Sequence, residues 1–152
     1  MTETRCACSC GKAQLTLTGR PLGRFRCHCT ICQSVYKAPF ADATILSMSG
    51  IKRDSIEHTE FSRHRLPPAL QRGTCMSCGR PVMAHLFVAP YVRLAFIPAA
   101  NYPKTYHLPE PAMHIFYDSR VSDIQDDLPK YNGYVSSELA VLRLVMRNVF
   151  AS

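Results

Sequence analysis

The sequence lacks any hydrophobic run long enough to cross a membrane. Its most apolar stretch, residues 86–100, is interrupted by Pro90, Arg93 and Pro98, and it is shorter than the ~20 residues that a spanning helix requires. The first five residues have no apolar core of the kind that a secretion signal needs. Internal repeats and low-complexity segments are also missing. We therefore expect a single domain over residues 1–152, located in the cytoplasm and without a membrane partner.

Features typical of nucleic-acid-binding proteins are equally scarce. The formal net charge is +7, but the chain has no basic tail and no segment in which aromatic and basic residues alternate. A moderate positive charge suits an anionic small molecule and does not require nucleic acid. We therefore expect a small-molecule partner and no nucleic-acid partner.

Cysteine, by contrast, is abundant. The chain has eight cysteines, and all except Cys6 fall in three short clusters: Cys8-Ser9-Cys10, Cys27-His28-Cys29-Thr30-Ile31-Cys32 and Cys75-Met76-Ser77-Cys78. In a chain without a secretion signal, Cys-x-Cys and Cys-x-x-Cys spacings favour metal-ligand loops over disulfides. Thiolates bind zinc in tetrahedral sites that usually take two ligands from each of two loops. Zinc is therefore the expected cofactor.

Glycine distinguishes two of these clusters from the third. Gly11 and Gly79 directly follow the first and last clusters, and glycine tolerates positive φ and close backbone approach. Gln33 follows the central cluster instead. The pattern predicts one closed four-sulfur site and a second zinc ion in the central loop. The four-sulfur ligands are Cys8, Cys10, Cys75 and Cys78, and the central ligands are Cys27, Cys29 and Cys32. A closed four-ligand site is typical of structural zinc, and a three-ligand site with an open position is typical of catalytic zinc.

The central site could instead be closed by a fourth protein ligand. The candidates are Cys6, His28 and a more distant histidine, and the protein would then be a non-enzymatic binding module with two structural zinc ions. We expect His28 to miss the ion, because neighbouring residues of an extended loop point in opposite directions, and we expect Cys6 to remain an unligated thiol. A thioredoxin-like redox protein would require a βαβ context that the sequence does not predict.

A basic segment precedes the third cluster. It contains Arg63, His64, Arg65 and Arg72. Arginine binds carboxylates in a bidentate manner, so this segment could receive a substrate carboxylate. The alternative is a solvated basic surface, which is the usual environment of such residues.

The hydrophobic pattern predicts mainly β structure. Residues 12–18 alternate between polar and apolar, which predicts a strand with Ala13, Leu15 and Leu17 facing inward. Further strands are expected over residues 39–48, 55–63, 82–89, 91–97 and 114–117, with proline-rich connections at 66–69 and 101–111.

A C-terminal helix is predicted over about residues 136–149. Ser136 or Ser137 would cap it. Its apolar residues recur at helical spacing: Leu139, Leu142, Val145, Met146 and Val149.

The order of the three clusters also resembles a known family. Cys-x-Cys-Gly, Cys-His-Cys-x-x-Cys and Cys-x-x-Cys-Gly follow one another as in the glutathione-dependent formaldehyde-activating enzymes. The similarity continues in Arg72 before Cys75, in Pro81 after Gly79 and in the Pro111…His114-Ile115 segment. It covers the chain from about Cys8 to Tyr131.

This resemblance implies a mainly β fold, the Mss4-like β-tent, and two zinc ions per chain with the ligand sets given above. It implies a carbon–sulfur lyase that resembles S-(hydroxymethyl)glutathione synthase, with glutathione or a similar small thiol and an aldehyde-type electrophile as partners. The family commonly has a tryptophan after the His-Ile strand. This chain has no tryptophan, and Val121 stands near that place, so the resemblance leaves the identity of the substrate open.

Overall fold

The computed structural model describes residues 2–64, 70–90 and 92–150. Within these residues the chain forms ten strands and two α-helices. The strands are β1 (Thr4–Ala7), β2 (Gln14–Leu17), β3 (Gly23–Cys27), β4 (Ala41–Ser47), β5 (Ile51–Glu57), β6 (Thr59–Arg63), β7 (Gln71–Cys75), β8 (Pro81–Ala89), β9 (Val92–Pro98) and β10 (His114–Ile115). The helices are α1 (Thr30–Tyr36) and α2 (Tyr134–Phe150).

The strands form two sheets. One has the order β1-β2-β5, and the other has the order β10-β3-β4-β9-β8-β7-β6. Neighbouring strands are antiparallel except β10 and β3, which are parallel and place Ile115 opposite Cys27. The mainly β fold with a C-terminal helix that the sequence predicts is confirmed.

Strand β2 illustrates why the alternating pattern is informative. Ala13, Leu15 and Leu17 are at most 1% exposed, and the polar residues between them lie on the opposite face, as the period of two requires. The strands predicted at residues 82–89 and 91–97 correspond to β8 and β9, which pair in antiparallel register. The proline-rich connection predicted at residues 66–69 lies outside the described residues.

The single strand predicted over residues 55–63 is wrong. The chain breaks at His58, whose φ is 56°, and an L-residue in the left-handed region cannot continue an extended strand. Strand β5 ends before His58 and pairs with β2. Strand β6 begins after it and pairs with β7 in the other sheet. His58 is therefore the point at which the chain passes between sheets.

The predicted cap of the C-terminal helix is also wrong. Helix α2 begins at Tyr134, directly after Gly133, whose φ is 76°. Ser137 lies inside the first turn and is fully buried. Its hydroxyl accepts a hydrogen bond from the backbone N–H of Phe116 at 2.8 Å. The serine thus connects the helix to the segment after β10 instead of capping its own helix.

The buried face of α2 differs from the predicted one. Ala140, Leu144 and Val145 are buried, whereas four of the five predicted apolar residues are 44–49% exposed: Leu139, Leu142, Met146 and Val149. One contact of the buried face lies on β3. A Cβ atom at Gly23 would come within 2.7 Å of Leu144 Cδ2, so the missing side chain makes room for Leu144. A glycine on a distant strand therefore allows Leu144 to pack.

Two hydrophobic cores result, and each contains one group of cysteines. Cys8 and Cys75 pack with Leu15 and Leu17 in the first core. Cys27, Cys29 and Cys32 belong to the second core, which α2 covers. Neither helix of the described chain has the length and hydropathy needed to cross a bilayer.

Candidate metal centres

Four thiols converge between the loop after β1 and the turn that joins β7 to β8. The Sγ atoms of Cys8, Cys10, Cys75 and Cys78 all lie within 4.8 Å of one another. Cys8 and Cys10 are separated by 3.4 Å, Cys10 and Cys75 by 3.6 Å, and Cys78 and Cys8 by 3.7 Å. Two sulfurs bound tetrahedrally at about 2.3 Å would be about 3.8 Å apart. These four residues could therefore hold one metal ion.

The two loops that supply these thiols have similar backbones. Gly11 has a φ of 81° and Gly79 a φ of 72°, a region that glycine enters without steric cost. The N–H of Gly11 donates to the carbonyl of Cys8, and that of Gly79 donates to the carbonyl of Cys75, each at 2.9 Å. The glycines thus turn each chain back and direct both cysteines of a loop to the same side.

The three remaining clustered thiols form a second group at the start of α1. The Sγ atoms of Cys27, Cys29 and Cys32 lie within 4.8 Å of one another, with 3.4 Å between Cys32 and Cys27. Cys29 is the N-cap of α1, and its Sγ accepts a hydrogen bond from the backbone N–H of Cys32 at 3.3 Å. Hydrogen bonds from the Cys27 and Cys32 thiols, together with this N–H, lower the pKa of Cys29. The group could hold a metal ion through three sulfurs.

No fourth side-chain donor joins this central group within the part of the chain that the structure describes. Cys6 is 1% exposed and packs in the other core, where burial raises its pKa to about 12 and keeps the thiol protonated. All eight cysteines are free. The donor set of three soft thiolates suits zinc and leaves one tetrahedral position without a protein ligand.

His28 turns away from the central thiols. Its Nε2 lies 2.8 Å from Nδ1 of His114, and Nε2 of His114 lies 2.7 Å from a carboxylate oxygen of Asp126. Hydrogen bonds from Lys130 and His114 hold the pKa of Asp126 well below its usual range. Because Asp126 is therefore ionised, it accepts a hydrogen bond from Nε2 of His114.

Both histidines are at most 1% exposed. Burial, followed by the charges of His114 and Arg120, lowers the pKa of His28 to about 4. His28 is therefore neutral near pH 7. Its buried ring holds the loop between Cys27 and Cys29 in place through the contact with His114.

Gln33 ties the same loop to the rest of the fold. Its side-chain amide donates to the carbonyl of His28 at 2.7 Å and to the carbonyl of Ser119 at 2.9 Å. Gln33, which stands where the other two clusters have glycine, thus anchors the central loop to the turn after β10.

The basic segment is divided by the structure. Arg72 places Nη2 3.9 Å from Sγ of Cys32, whereas Arg63 and His64 are exposed, and Arg65 lies outside the described residues. Arg72 stands opposite Ser62 in the β6–β7 pair. Of the described members of this segment, Arg72 therefore adjoins the central thiols.

A cavity of about 300 Å³ opens above the central group. Cys27, Cys29 and Cys32 line one end of it, and residues of β8, β9 and α2 form its walls. This volume is at the lower end of the range of small-molecule sites. The three thiols therefore face a space that a small organic molecule can enter.

The sequence did not reveal two members of this site. Asp126 is exposed, and the sequence alone assigns no role to it or to His114. Their contact joins a strand to a loop twelve positions further on, and no local pattern indicates it. The buried histidine at His114 beside a family motif was the available signal.

Comparison with known proteins agrees with this geometry. The family model described as glutathione-dependent formaldehyde-activating enzyme matches residues 3–119. No curated protein matches the sequence. The matched region includes both groups of cysteines and most of the chain, and it confirms the resemblance seen in the motifs. The chain therefore belongs to the glutathione-dependent formaldehyde-activating enzyme family.

Proposed function

We propose that this protein is a cytoplasmic, zinc-dependent carbon–sulfur lyase that forms or cleaves the adduct of a small thiol and an aldehyde, in the manner of S-(hydroxymethyl)glutathione synthase. It acts as a single domain over residues 1–152. The observation that carries the proposal is the group of Cys27, Cys29 and Cys32, which has three sulfur donors and opens onto a cavity.

The two groups of cysteines have different roles in this proposal. Cys8, Cys10, Cys75 and Cys78 hold a structural zinc ion, because four donors close the coordination shell. Cys27, Cys29 and Cys32 hold the catalytic ion. A zinc ion held by these three sulfurs would supply a Lewis acid that favours the thiolate form of a substrate thiol.

The reaction joins the thiol sulfur to the carbonyl carbon of the aldehyde. A carbon–sulfur bond forms, the carbonyl π bond breaks, and the proton released by the thiol ends on the new hydroxyl. No oxidant or reductant is required. The reverse reaction releases the aldehyde.

The protein contributes orientation and a low-polarity environment. Gln33 and the His28–His114 pair fix the loop between the ligands, so the three sulfurs keep their positions while substrate enters. Arg72, 3.9 Å from Sγ of Cys32, balances the negative charge that three thiolates leave around a divalent ion. Such pre-organisation limits the reorganisation needed during the reaction.

The test is to measure metal content together with adduct exchange. The zinc-loaded protein should contain two zinc ions per chain and should accelerate exchange between glutathione, formaldehyde and their adduct in magnetisation-transfer NMR. Cys29→Ser should lower the exchange rate to that of buffer. A variant that retains the full rate, or a wild-type protein that binds no thiol, would leave the binding-module alternative as the function.

A further inference from the structure

The cavity above the central thiols is lined mainly by apolar side chains. Leu86, Leu94 and Phe96 line its walls beyond the cysteines, and Met83 and Phe25 also contribute. A volume of about 300 Å³ corresponds to about ten groups of the size of water. The cavity can therefore accommodate a carbon group of about ten non-hydrogen atoms.

The mouth of the cavity is also apolar. Leu139 and Leu142 on α2 are each 44% exposed and Val88 on β8 is 46% exposed, and all three line the cavity. Contiguous exposed apolar side chains at a cleft mark binding surfaces more often than scattered ones do. An apolar ligand that occupies the cavity would cover this rim.

Charge is sparse in the lining. Apart from the three cysteines, the described residues of the lining that carry a charge are Arg72 and Glu138. Burial raises the pKa of Tyr36, so its hydroxyl is neutral near pH 7. Glutathione carries two carboxylates and an ammonium group, and burial of a charge without a partner is costly. Among the residues that the structure describes, the lining offers too few partners for these groups.

We propose that the substrate thiol of this site carries an apolar alkyl or aryl group of up to about ten non-hydrogen atoms, which the cavity buries. This inference rests on the proposed function, because the sulfur of that thiol occupies the cysteine end of the cavity. It narrows the substrate class from small thiols in general to apolar thiols. The carbon–sulfur bond is made or broken as described above, and the apolar group takes no part in the reaction.

The experiment is calorimetric titration of the zinc-loaded protein with ethanethiol, butanethiol, hexanethiol and glutathione. Burial of a methylene stabilises a complex by an amount that corresponds to about a fourfold gain in affinity. We expect affinity to rise by about threefold to fourfold per methylene and hexanethiol to bind more tightly than glutathione. Equal affinities along the series, or tighter binding of glutathione, would overturn the inference while leaving the proposed function in place.

Variants at the rim provide a second measurement. Leu142→Asp and Val88→Asp introduce a charge at the mouth, and each should reduce the ratio of hexanethiol to ethanethiol affinity by about tenfold. Met146→Asp is the matched control, because Met146 is 49% exposed on the same helix and does not line the cavity. It should leave the ratio unchanged. A ratio that is insensitive to both rim variants would place the alkyl group elsewhere, and failure of every thiol to bind would instead refute the proposed function.

Discussion

His28 and His114 lie 86 positions apart and share a buried hydrogen bond of 2.8 Å. His28 stands between two cysteines of the central loop, and His114 stands on β10, the parallel neighbour of the strand that ends in Cys27. The ring contact gives the loop a support that does not involve a metal ion. The order of the central site therefore depends in part on His114, a residue that no cysteine motif contains.

Replacement of His114 should test this support. His114→Phe keeps an aromatic ring but leaves the buried Nε2 of His28 without its hydrogen-bond partner. A buried polar group without a partner costs about 1–3 kcal/mol, so the free energy of unfolding should fall by that amount in urea titration. His107→Phe is the control, because His107 is exposed, and its effect should stay within about 0.5 kcal/mol. If both variants lost the same free energy of unfolding, the role assigned to His114 would be contradicted.

The ionised state of Asp126 should produce a pH dependence. Its pKa is lowered by hydrogen bonds from Lys130 and His114, so the native state favours the carboxylate. The stabilisation is complete above the unfolded pKa of about 3.9 and is lost as the pH falls through the lower native pKa.

Asp126→Asn should therefore be less stable than wild type at pH 6–7, and the difference should shrink as the pH falls below about 4. Thermal unfolding of both proteins across this range measures the difference. Asp127→Asn, a change of the neighbouring exposed aspartate, should match wild type at every pH. A constant difference between Asp126→Asn and wild type would refute the ionic contribution.

The two groups of cysteines should differ in their effect on folding. Cys78→Ser should lose a zinc ion and unfold, because a structural ion contributes folding free energy directly. Cys29→Ser should lose the other ion and retain its circular dichroism spectrum. Cys6→Ala, at a buried cysteine outside both groups, should retain two ions. Equal unfolding of Cys29→Ser and Cys78→Ser would show that both ions are structural.

Arg72 should affect metal retention at the central site. Arg72→Met removes the cation 3.9 Å from Sγ of Cys32 and should weaken zinc binding there by at least about tenfold, since charges at this distance interact by about 4 kcal/mol at an effective dielectric constant of 20. Competition with a chromophoric chelator measures the loss. Arg63 is exposed and lies on the adjacent strand, so Arg63→Met should leave zinc affinity unchanged. An equal loss of zinc affinity in both variants would mean that the net charge of the protein, and not the position of Arg72, causes the effect.

Local sequence patterns predicted the features that depend on local geometry. The alternation at residues 12–18 identified the buried face of β2, and the glycines at Gly11 and Gly79 correctly grouped the four thiols of the first site. The first prediction depends on the side-chain period of a strand and the second on the backbone freedom of glycine. Both properties belong to residues that are neighbours in sequence. The family motif supplied the rest of the prediction.

The incorrect predictions concern contacts between distant segments. Gly23 leaves the space that Leu144 of α2 occupies, and the helical period alone could not identify that contact. The sequence around His58 is typical of a continuous strand. The break arises because the residues before His58 pair with β2 in one sheet and those after it pair with β7 in the other. The contact of Asp126 with His114 likewise joins residues twelve positions apart, and no local sequence pattern predicts it.

The four-thiol group also has a topological consequence. Cys10 and Cys75 are 65 positions apart, and the whole central loop from Cys27 to Cys32 lies on the chain between them. An ion at the four-thiol site therefore closes a ring that encloses the other site, whereas an ion at the central site closes no comparable ring. We therefore expect metal release to be ordered. Loss of an ion from the central site would leave the ring closed, whereas loss of an ion from the four-thiol site would open the ring that contains the central site.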